Sequence, residues 1–286
     1  MIDKEAIFYQ QTPRGVRCSL CPWECELPEG ALGRCKARRS RGGKLIAESY
    51  GMITSASLDP IEKKPLNHFF PGSFIFSIGL YGCNLHCPFC QNHRISMSRP
   101  ETSYASPEDI AALAERYARD GNNLGVAYTY NEPMIAFEYV LDCTRAVHAR
   151  GLKNVAVTNG CINEEPFNTI LPYIDAFNID LKGSAAFYKE KLGGDLDTVK
   201  RNIRSAASQS HVEVTTLIIP GENDSDEETE ESAEFLSGIS PDLPLHLSRF
   251  IPQYKYARKQ PTPAETMRRL RDIAEKYLKH VHLGNM

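Results

Sequence analysis

The chain has 286 residues, a formal net charge of -3 at pH 7, and 24% charged and 42% hydrophobic residues. That length supports one domain of α/β-barrel size, with or without an appendage. The small negative charge argues against a general nucleic-acid binder, and no apolar run approaches the roughly 20 residues that span a bilayer. Because the first segment, MIDKEAIFYQQTPRG, lacks the apolar stretch of a signal peptide, the sequence predicts a cytoplasmic protein without membrane contact.

Residues 1–70 show no helical period and are rich in Gly, Pro, Cys and Arg, which predicts a cysteine-rich N-terminal appendage. Four of its cysteines form one closely spaced set: Cys18, Cys21, Cys25 and Cys35. In a chain without a secretory signal, such spacing favours metal binding over a disulfide framework. The set suits structural zinc and an auxiliary iron–sulfur cluster equally well, and the spacing leaves both open.

From residue 71 to 286, apolar runs alternate with amphipathic helices. The run SFIFSIGLY (73–81) lies between Pro-Gly and Gly-Cys, which is typical of a buried parallel strand. SPEDIAALAERYARDG then predicts a helix that Ser106 caps and Gly121 ends. Further strands are predicted at 124–130, 153–159, 174–180, 211–219 and 243–250, with a short last strand at VHLG. Helices are predicted to begin near Met134, Glu164, Leu196 and Asp226, and at Thr262 with the capping box TPAE.

Six strand–helix units without an antiparallel hairpin signal predict an α/β fold with a parallel sheet, either a partial barrel or a doubly wound domain. Polar residues follow these strands at the same end each time. In parallel barrels the C-terminal strand ends carry the chemistry, so we expect the active site there.

The loop YGCNLHCPFCQN after the first of these strands contains Cys83, Cys87 and Cys90. A structural zinc site takes four protein ligands, and a catalytic one usually includes His or a carboxylate. An iron–sulfur cluster on three cysteines instead leaves one iron open to another ligand. The spacing resembles the signature of the radical S-adenosylmethionine (SAM) superfamily, which implies a 4Fe–4S cluster on these catalytic thiolates, with SAM on the open iron.

The same resemblance implies a partial parallel (β/α)6 TIM-type barrel over residues 71–286. It also implies the reaction, in which one electron cleaves SAM to a 5′-deoxyadenosyl radical that abstracts hydrogen from a substrate. The electron is expected from a one-electron reductant of the flavodoxin or ferredoxin type.

More motifs, in order, resemble the AmmeMemoRadiSam-system radical SAM enzymes, which are similar to pyruvate formate-lyase activating enzymes: CSLCPWEC, LGRCKAR, DPIEKKPLNHFFPGS, TYNEP, VTNG, NIDLKG, LIIPGEND and LSRFIPQY. The resemblance implies SAM contacts from Phe89, Asn131, Glu132, Asn159, Asp180, Lys182 and Arg249. The match departs at Val157, where an Asp is expected before TNG, and in lacking an obvious His on the last strand.

The first functional hypothesis is hydrogen abstraction from a protein glycine, which would activate a glycyl-radical enzyme. The second is radical SAM modification of a small molecule, a lipid or RNA. A non-catalytic iron–sulfur electron carrier or zinc-stabilised binding module is the third, but a carrier has no use for the polar strand-end residues.

Two charged segments and two single cysteines have simpler interpretations. KARRSRGGK is typical of a solvated loop, with the alternative that its arginines offset thiolate charge. Three residues of DPIEKKPLNHF are expected to cover the active site or to lie in a packed linker: Lys63, Lys64 and His68. Cys143 is expected to be a core thiol, and Cys161 a buried residue near the cavity.

Overall fold

The computed structural model describes residues 3–286, which form one eight-stranded sheet, three smaller sheets and eight α-helices. The strands are β1 (Tyr9–Thr12), β2 (Gly15–Cys18), β3 (Glu26–Leu27), β4 (Arg38–Arg41), β5 (Lys44–Ala47), β6 (Met52–Ile53), β7 (Ser55–Pro60), β8 (Phe74–Gly79), β9 (Ser103–Tyr104), β10 (Asn123–Tyr128), β11 (Lys153–Thr158), β12 (Ala176–Asp180), β13 (His211–Ile218), β14 (Leu245–Arg249) and β15 (Val281–Gly284). The helices are α1 (His93–Ser96), α2 (Pro107–Asp120), α3 (Phe137–His148), α4 (Glu164–Ile170), α5 (Ala185–Phe187), α6 (Leu196–Ala207), α7 (Asp226–Ser237) and α8 (Ala264–Ala274).

The large sheet has the strand order β15-β14-β13-β12-β11-β10-β8-β7. All neighbours from β8 to β15 are parallel, whereas β7 pairs antiparallel with β8 at one edge. Since β7 and β15 are the two ends of this order, the barrel is open. The predicted α/β fold with a partial parallel barrel is therefore confirmed, and the antiparallel edge strand is an addition that the sequence did not predict.

The predicted elements are confirmed with small shifts at their ends, except for the start of the last helix. Ser106 caps α2 as expected, because its hydroxyl accepts a hydrogen bond from the Asp109 N–H. The capping box at Thr262 is wrong, since α8 begins at Ala264 without a side-chain cap. The Thr262 hydroxyl instead donates to the Ile218 carbonyl at 2.6 Å, which ties it to the end of β13.

The segment between β7 and β8 closes the N-terminal end of the barrel. Glu213 is fully buried, and its carboxylate accepts hydrogen bonds from the backbone N–H groups of Asn67 (3.0 Å) and His68 (2.7 Å). The imidazoles of His211 (2.9 Å) and His246 (2.6 Å) contact the same carboxylate. Glu213 and His246 lie near the starts of β13 and β14, so the segment closes the end of the barrel opposite the C-terminal strand ends. His68 therefore does not cover the expected active site.

The appendage is fixed to the barrel through a buried ion pair. The Arg38 guanidinium donates to the Glu138 carboxylate on α3 at 2.6 Å and to the Ile135 carbonyl at 3.1 Å. The second oxygen of Glu138 accepts the Ile7 N–H at 2.8 Å. Removing one partner of such a buried pair costs about 3–5 kcal/mol, so this contact holds the appendage against α3. None of the helices within residues 3–286 has the length and hydropathy that a bilayer crossing requires.

Candidate active site

The C-terminal ends of the parallel strands surround the loop that carries the three cysteines. This loop leaves β8 at Leu80, and Asn131 fixes its start from the end of β10. The Asn131 side-chain oxygen accepts the Leu80 N–H at 3.0 Å, and its amide nitrogen donates to the Gly82 carbonyl at 3.0 Å. Because both ends of the Asn131 amide are used in this way, the residue shapes the loop from within the protein.

The three thiols lie together in a buried, partly polar environment. Burial raises the pKa of Cys87 to about 12, and the nearby Lys182 ammonium acts in the opposite direction. The Cys83 sulfur accepts the Leu85 N–H at 3.3 Å and lies 3.6 Å from the Asn159 amide nitrogen. A thiolate at each position would therefore meet donors or positive charge, as a metal ligand requires.

The donor set of this loop, three free thiols, suits an iron–sulfur cluster. Among residues 3–286, no three or more His, Cys, Asp or Glu side chains converge closely enough to bind one metal ion. In a 4Fe–4S cluster each cysteine binds a different iron, so the sulfurs stand apart around the inorganic core. Three thiols with such donors fit the ligand set of an iron–sulfur cluster.

Glu132 lies beside this loop and is buried, with both carboxylate oxygens bonded. One oxygen accepts the Thr158 hydroxyl at 2.7 Å and the Met134 N–H at 3.0 Å, and the other accepts the Asn159 N–H at 2.7 Å. Burial raises the pKa of Glu132 to about 7, although these three donors act against the shift. One acceptor position on the second oxygen is left for a ligand.

Asn159 connects Glu132 to the cysteine loop through a residue that sequence reasoning missed. Its amide nitrogen donates to the Asn84 side-chain oxygen at 2.9 Å, and the Asn84 amide nitrogen donates to the Cys161 carbonyl at 2.6 Å. Asn84 follows Cys83 directly, so its position inside the motif is a signal that was available. Cys161 is buried near this network, as expected, while Cys143 is a core thiol on α3.

Asp180 and Lys182 form an ion pair at the end of β12. The Lys182 ammonium lies 2.8 Å from the Asp180 carboxylate. Burial raises the pKa of Cys87 and of Cys90, and the Lys182 charge acts against both shifts. Tyr188, which the sequence did not indicate, fixes this turn: its hydroxyl accepts the Lys182 N–H at 3.0 Å and donates to the Asp180 carbonyl at 3.1 Å.

An aromatic group and a covering segment complete the site. Phe89 is buried and stacks on Phe187, with ring centroids 6.1 Å apart and planes 5° from parallel. The segment after β14 lies over this loop, since the Lys255 N–H donates to the Pro88 carbonyl at 3.0 Å and Tyr256 lies 6.2 Å from Phe89. Phe89 and Phe187 therefore form one apolar aromatic pair next to the cysteine loop.

Arg249 is the last residue of β14, so it lies at the same end of the barrel as the other predicted residues. Its side chain is partly exposed. Its guanidinium Nε donates to the Thr262 carbonyl at 2.6 Å. That contact uses one of its five N–H donors.

The second cysteine group lies directly against the first loop. The Trp23 indole N–H donates to the Asn84 carbonyl at 2.9 Å. A Cβ placed on Gly82 would lie 2.3 Å from the Cys35 carbonyl oxygen, and φ of Gly82 is +90°. Only glycine tolerates this backbone approach, so the two cysteine loops are in backbone contact.

Comparisons with known proteins agree with this geometry. The family model of the Radical SAM superfamily matches residues 77–236. An uncharacterized protein of Methanocaldococcus jannaschii, MJ0808, is 40% identical over 290 residues, which cover 99% of this chain and 85% of that protein. The 4-hydroxyphenylacetate decarboxylase activating enzyme of Clostridioides difficile strain CD196 is 26% identical over 187 residues, which cover 59% of each protein.

A solved structure shares the fold. The crystal structure of Streptococcus suis SuiB bound to its precursor peptide SuiA superposes with a TM-score of 0.56 at 18% identity, covering 71% of this chain and 47% of that chain. At this identity the likeness concerns the fold alone.

Proposed function

The chain belongs to the radical SAM superfamily, and on that premise we propose that Cys83, Cys87 and Cys90 hold a 4Fe–4S cluster at which SAM is reductively cleaved. The observation that carries the proposal is the three-thiol loop at the C-terminal strand ends, with a backbone N–H, an amide and an ammonium facing its sulfurs. These groups compensate the negative charge of thiolates in a buried setting. When bound, the cluster supplies one electron to SAM, which splits into methionine and a 5′-deoxyadenosyl radical that abstracts a substrate hydrogen.

The side chains around the loop divide the task of binding SAM. The free acceptor position on Glu132 receives the amino group of SAM, while Asn159 orients both Glu132 and the loop. Phe89, which stacks on Phe187, packs against the adenine ring. Lys182, held by Asp180, keeps positive charge beside the thiolates, and Arg249 offers its remaining donors to the SAM carboxylate. The segment around Tyr256 keeps water from the radical.

We propose a glycine of a partner protein as the hydrogen donor, with a flavodoxin- or ferredoxin-type reductant as the electron source. The support is the relative in Clostridioides difficile, whose name gives it as an activating enzyme of a decarboxylase. A small molecule, a lipid or RNA is the alternative substrate class.

Anaerobic reconstitution with iron and sulfide tests the cofactor. The loaded protein should show 4Fe–4S absorbance and convert SAM and dithionite to 5′-deoxyadenosine. Replacing Cys83, Cys87 and Cys90 together with Ala should abolish cleavage, whereas Cys143→Ala, a core thiol on α3, should keep it. Cleavage of SAM by the triple variant would rule out this assignment.

A second experiment tests the substrate. A glycyl-radical enzyme from the same organism, made with deuterated glycine, is incubated with the loaded protein, SAM and dithionite. An electron paramagnetic resonance doublet on that enzyme and deuterium in 5′-deoxyadenosine are expected. If SAM is cleaved but neither signal forms, the glycine substrate is wrong and the cleavage reaction stands.

A further inference from the structure

The loop between β11 and α4 is attached to the appendage as well as to the active site. Asn163 ends this loop, and its side-chain amide donates to the Ser19 carbonyl at 2.8 Å. The Asn163 backbone N–H donates to the neighbouring Leu20 carbonyl at 3.0 Å. The loop that begins with Asn159 is therefore held at its far end by the appendage.

The side chain of Asn163 makes this contact although it stands where a helix cap is expected. Asn is among the preferred N-cap residues, because its side-chain oxygen can accept a backbone N–H of the first turn. Asn163 occupies the N-cap position of α4, yet within residues 3–286 its side chain makes no capping hydrogen bond. The orientation of this side chain therefore serves the contact with the appendage and not the helix.

The same appendage segment reaches the cysteine loop of the barrel. Trp23 donates its indole N–H to the Asn84 carbonyl at 2.9 Å. The central carbon of the Arg34 guanidinium lies 3.4 Å from the centroid of the Trp23 ring. A Cβ placed on Gly193 would lie 2.7 Å from an atom of the same ring. The indole is therefore closely packed, and its N–H is held in place against the loop.

These two contacts meet at the residues around the SAM site. The Asn84 side chain accepts from Asn159 at 2.9 Å and donates to the Cys161 carbonyl at 2.6 Å. The Asn159 side-chain oxygen accepts the Cys161 N–H at 2.8 Å, and its backbone N–H donates to Glu132 at 2.7 Å. Residues 19–23 thus hold the cysteine loop on one side and the loop that orients Glu132 on the other.

We propose that Trp23 and Asn163 are positioning residues for SAM. Trp23 acts through Asn84 and Asn163 acts through the loop of Asn159, so together they fix the separation between the cysteine loop and Glu132. SAM has to reach the cluster and Glu132 at the same time, and a small misplacement of either one weakens its binding. The inference rests on the proposed function, because it takes Glu132 as the acceptor of the SAM amino group.

Two substitutions remove these contacts with little other change. Trp23→Phe removes the indole N–H and keeps an aromatic ring beside Arg34. Asn163→Ser removes the amide donor to the Ser19 carbonyl and leaves a residue that is equally favourable at an N-cap. Each reconstituted variant should bind SAM about two- to tenfold more weakly than wild type at unchanged iron content, since each loses one neutral hydrogen bond. The change that SAM causes in the electron paramagnetic resonance spectrum of the reduced cluster should require a correspondingly higher SAM concentration.

Tyr9→Phe is the matched control. The Tyr9 hydroxyl donates to Glu5 at 2.6 Å, so this variant also loses one appendage hydrogen bond, but neither of the two contacts. It should bind SAM with wild-type affinity. An equal loss in Tyr9→Phe would show a general effect of weakening the appendage and would overturn the proposal.

The remaining outcomes separate this inference from the function on which it rests. Wild-type SAM affinity in both Trp23→Phe and Asn163→Ser, even with a lowered melting temperature, would show a merely structural role and overturn the inference alone. Affinity that is lost only together with iron would also overturn it, since the two residues would then act on cluster assembly. Failure of reconstituted wild-type protein to bind or cleave SAM would overturn the proposed function, and this inference with it.

Discussion

Glu132 offers the sharpest test of SAM binding, because its substitution by Gln keeps the shape and removes the charge. In Glu132→Gln the side-chain oxygen can still accept from Thr158 and Met134. The new amide nitrogen then stands where the second carboxylate oxygen accepted the Asn159 N–H at 2.7 Å, which places donor against donor. The same atom has the free acceptor position that we propose for the SAM amino group.

The expected loss of SAM affinity follows from a single interaction. A hydrogen bond between a carboxylate and an ammonium contributes about 1.5–3 kcal/mol, which corresponds to roughly ten- to hundredfold in Kd. Only one such bond is available, because three of the acceptor positions on Glu132 are already used within the protein. A loss much beyond hundredfold would therefore require the cysteine loop itself to move.

Equilibrium binding of SAM to reconstituted protein measures this effect, with iron per chain determined on the same samples. The expected result is weaker binding at unchanged iron content. Wild-type affinity with unchanged iron would refute the contact between Glu132 and SAM. Loss of iron would also refute this reasoning, since Glu132 would then act on the cluster through Asn159.

Two further predictions concern packing. Gly82→Ala should lower the iron content and the melting temperature, because its Cβ would lie 2.3 Å from the Cys35 carbonyl oxygen. Gly72 has a similar φ of +80°, but a Cβ there would have no atom within 4 Å. Gly72→Ala should therefore cost only about 1 kcal/mol of backbone strain. Equal effects of the two substitutions would show that the loops are not in obligatory contact. Glu213→Gln should lower the unfolding free energy in urea by about 3 kcal/mol at neutral pH. Asp242→Asn, in an exposed ion pair, should have a much smaller effect on the same free energy. Burial raises the pKa of Glu213, but hydrogen bonds from two histidines bring it down to about 2. The Glu213 advantage should therefore be complete above about pH 4.5 and disappear toward pH 2; a constant difference would contradict the assignment.

The parallel part of the fold was predictable because each strand is a continuous apolar run and each helix has a clear period. β7 was missed for the opposite reason: three of its six residues are exposed, so SASLDP resembles a loop. Its pairing with β8 is a tertiary contact that no local pattern reports. The wrong cap at Thr262 has the same origin, since a hydroxyl that can cap a helix can equally bond a distant strand.

The candidate site divides in a similar way. The spacing of the three cysteines is local, so sequence alone found them. The bond between Asn84 and Asn159 joins residues 75 positions apart, and an asparagine in a loop carries no sign of its partner. The contact of the two cysteine groups was equally hidden, because the carbonyl of Cys35 meets Gly82 only in the folded chain.

The two cysteine groups share an electrostatic arrangement that would suit an anionic metal centre at each. Lys182 lies between the Asp180 carboxylate and the thiol of Cys87, and Arg38 lies between the Glu138 carboxylate and the second cysteine group. A buried cation without a partner is costly, so each carboxylate keeps its cation in place before any cluster is present. An anionic cluster then adds its negative charge beside a cation that is already ordered. The conformational entropy of these cation side chains is therefore lost when the chain folds, and binding of a metal centre does not reduce it further.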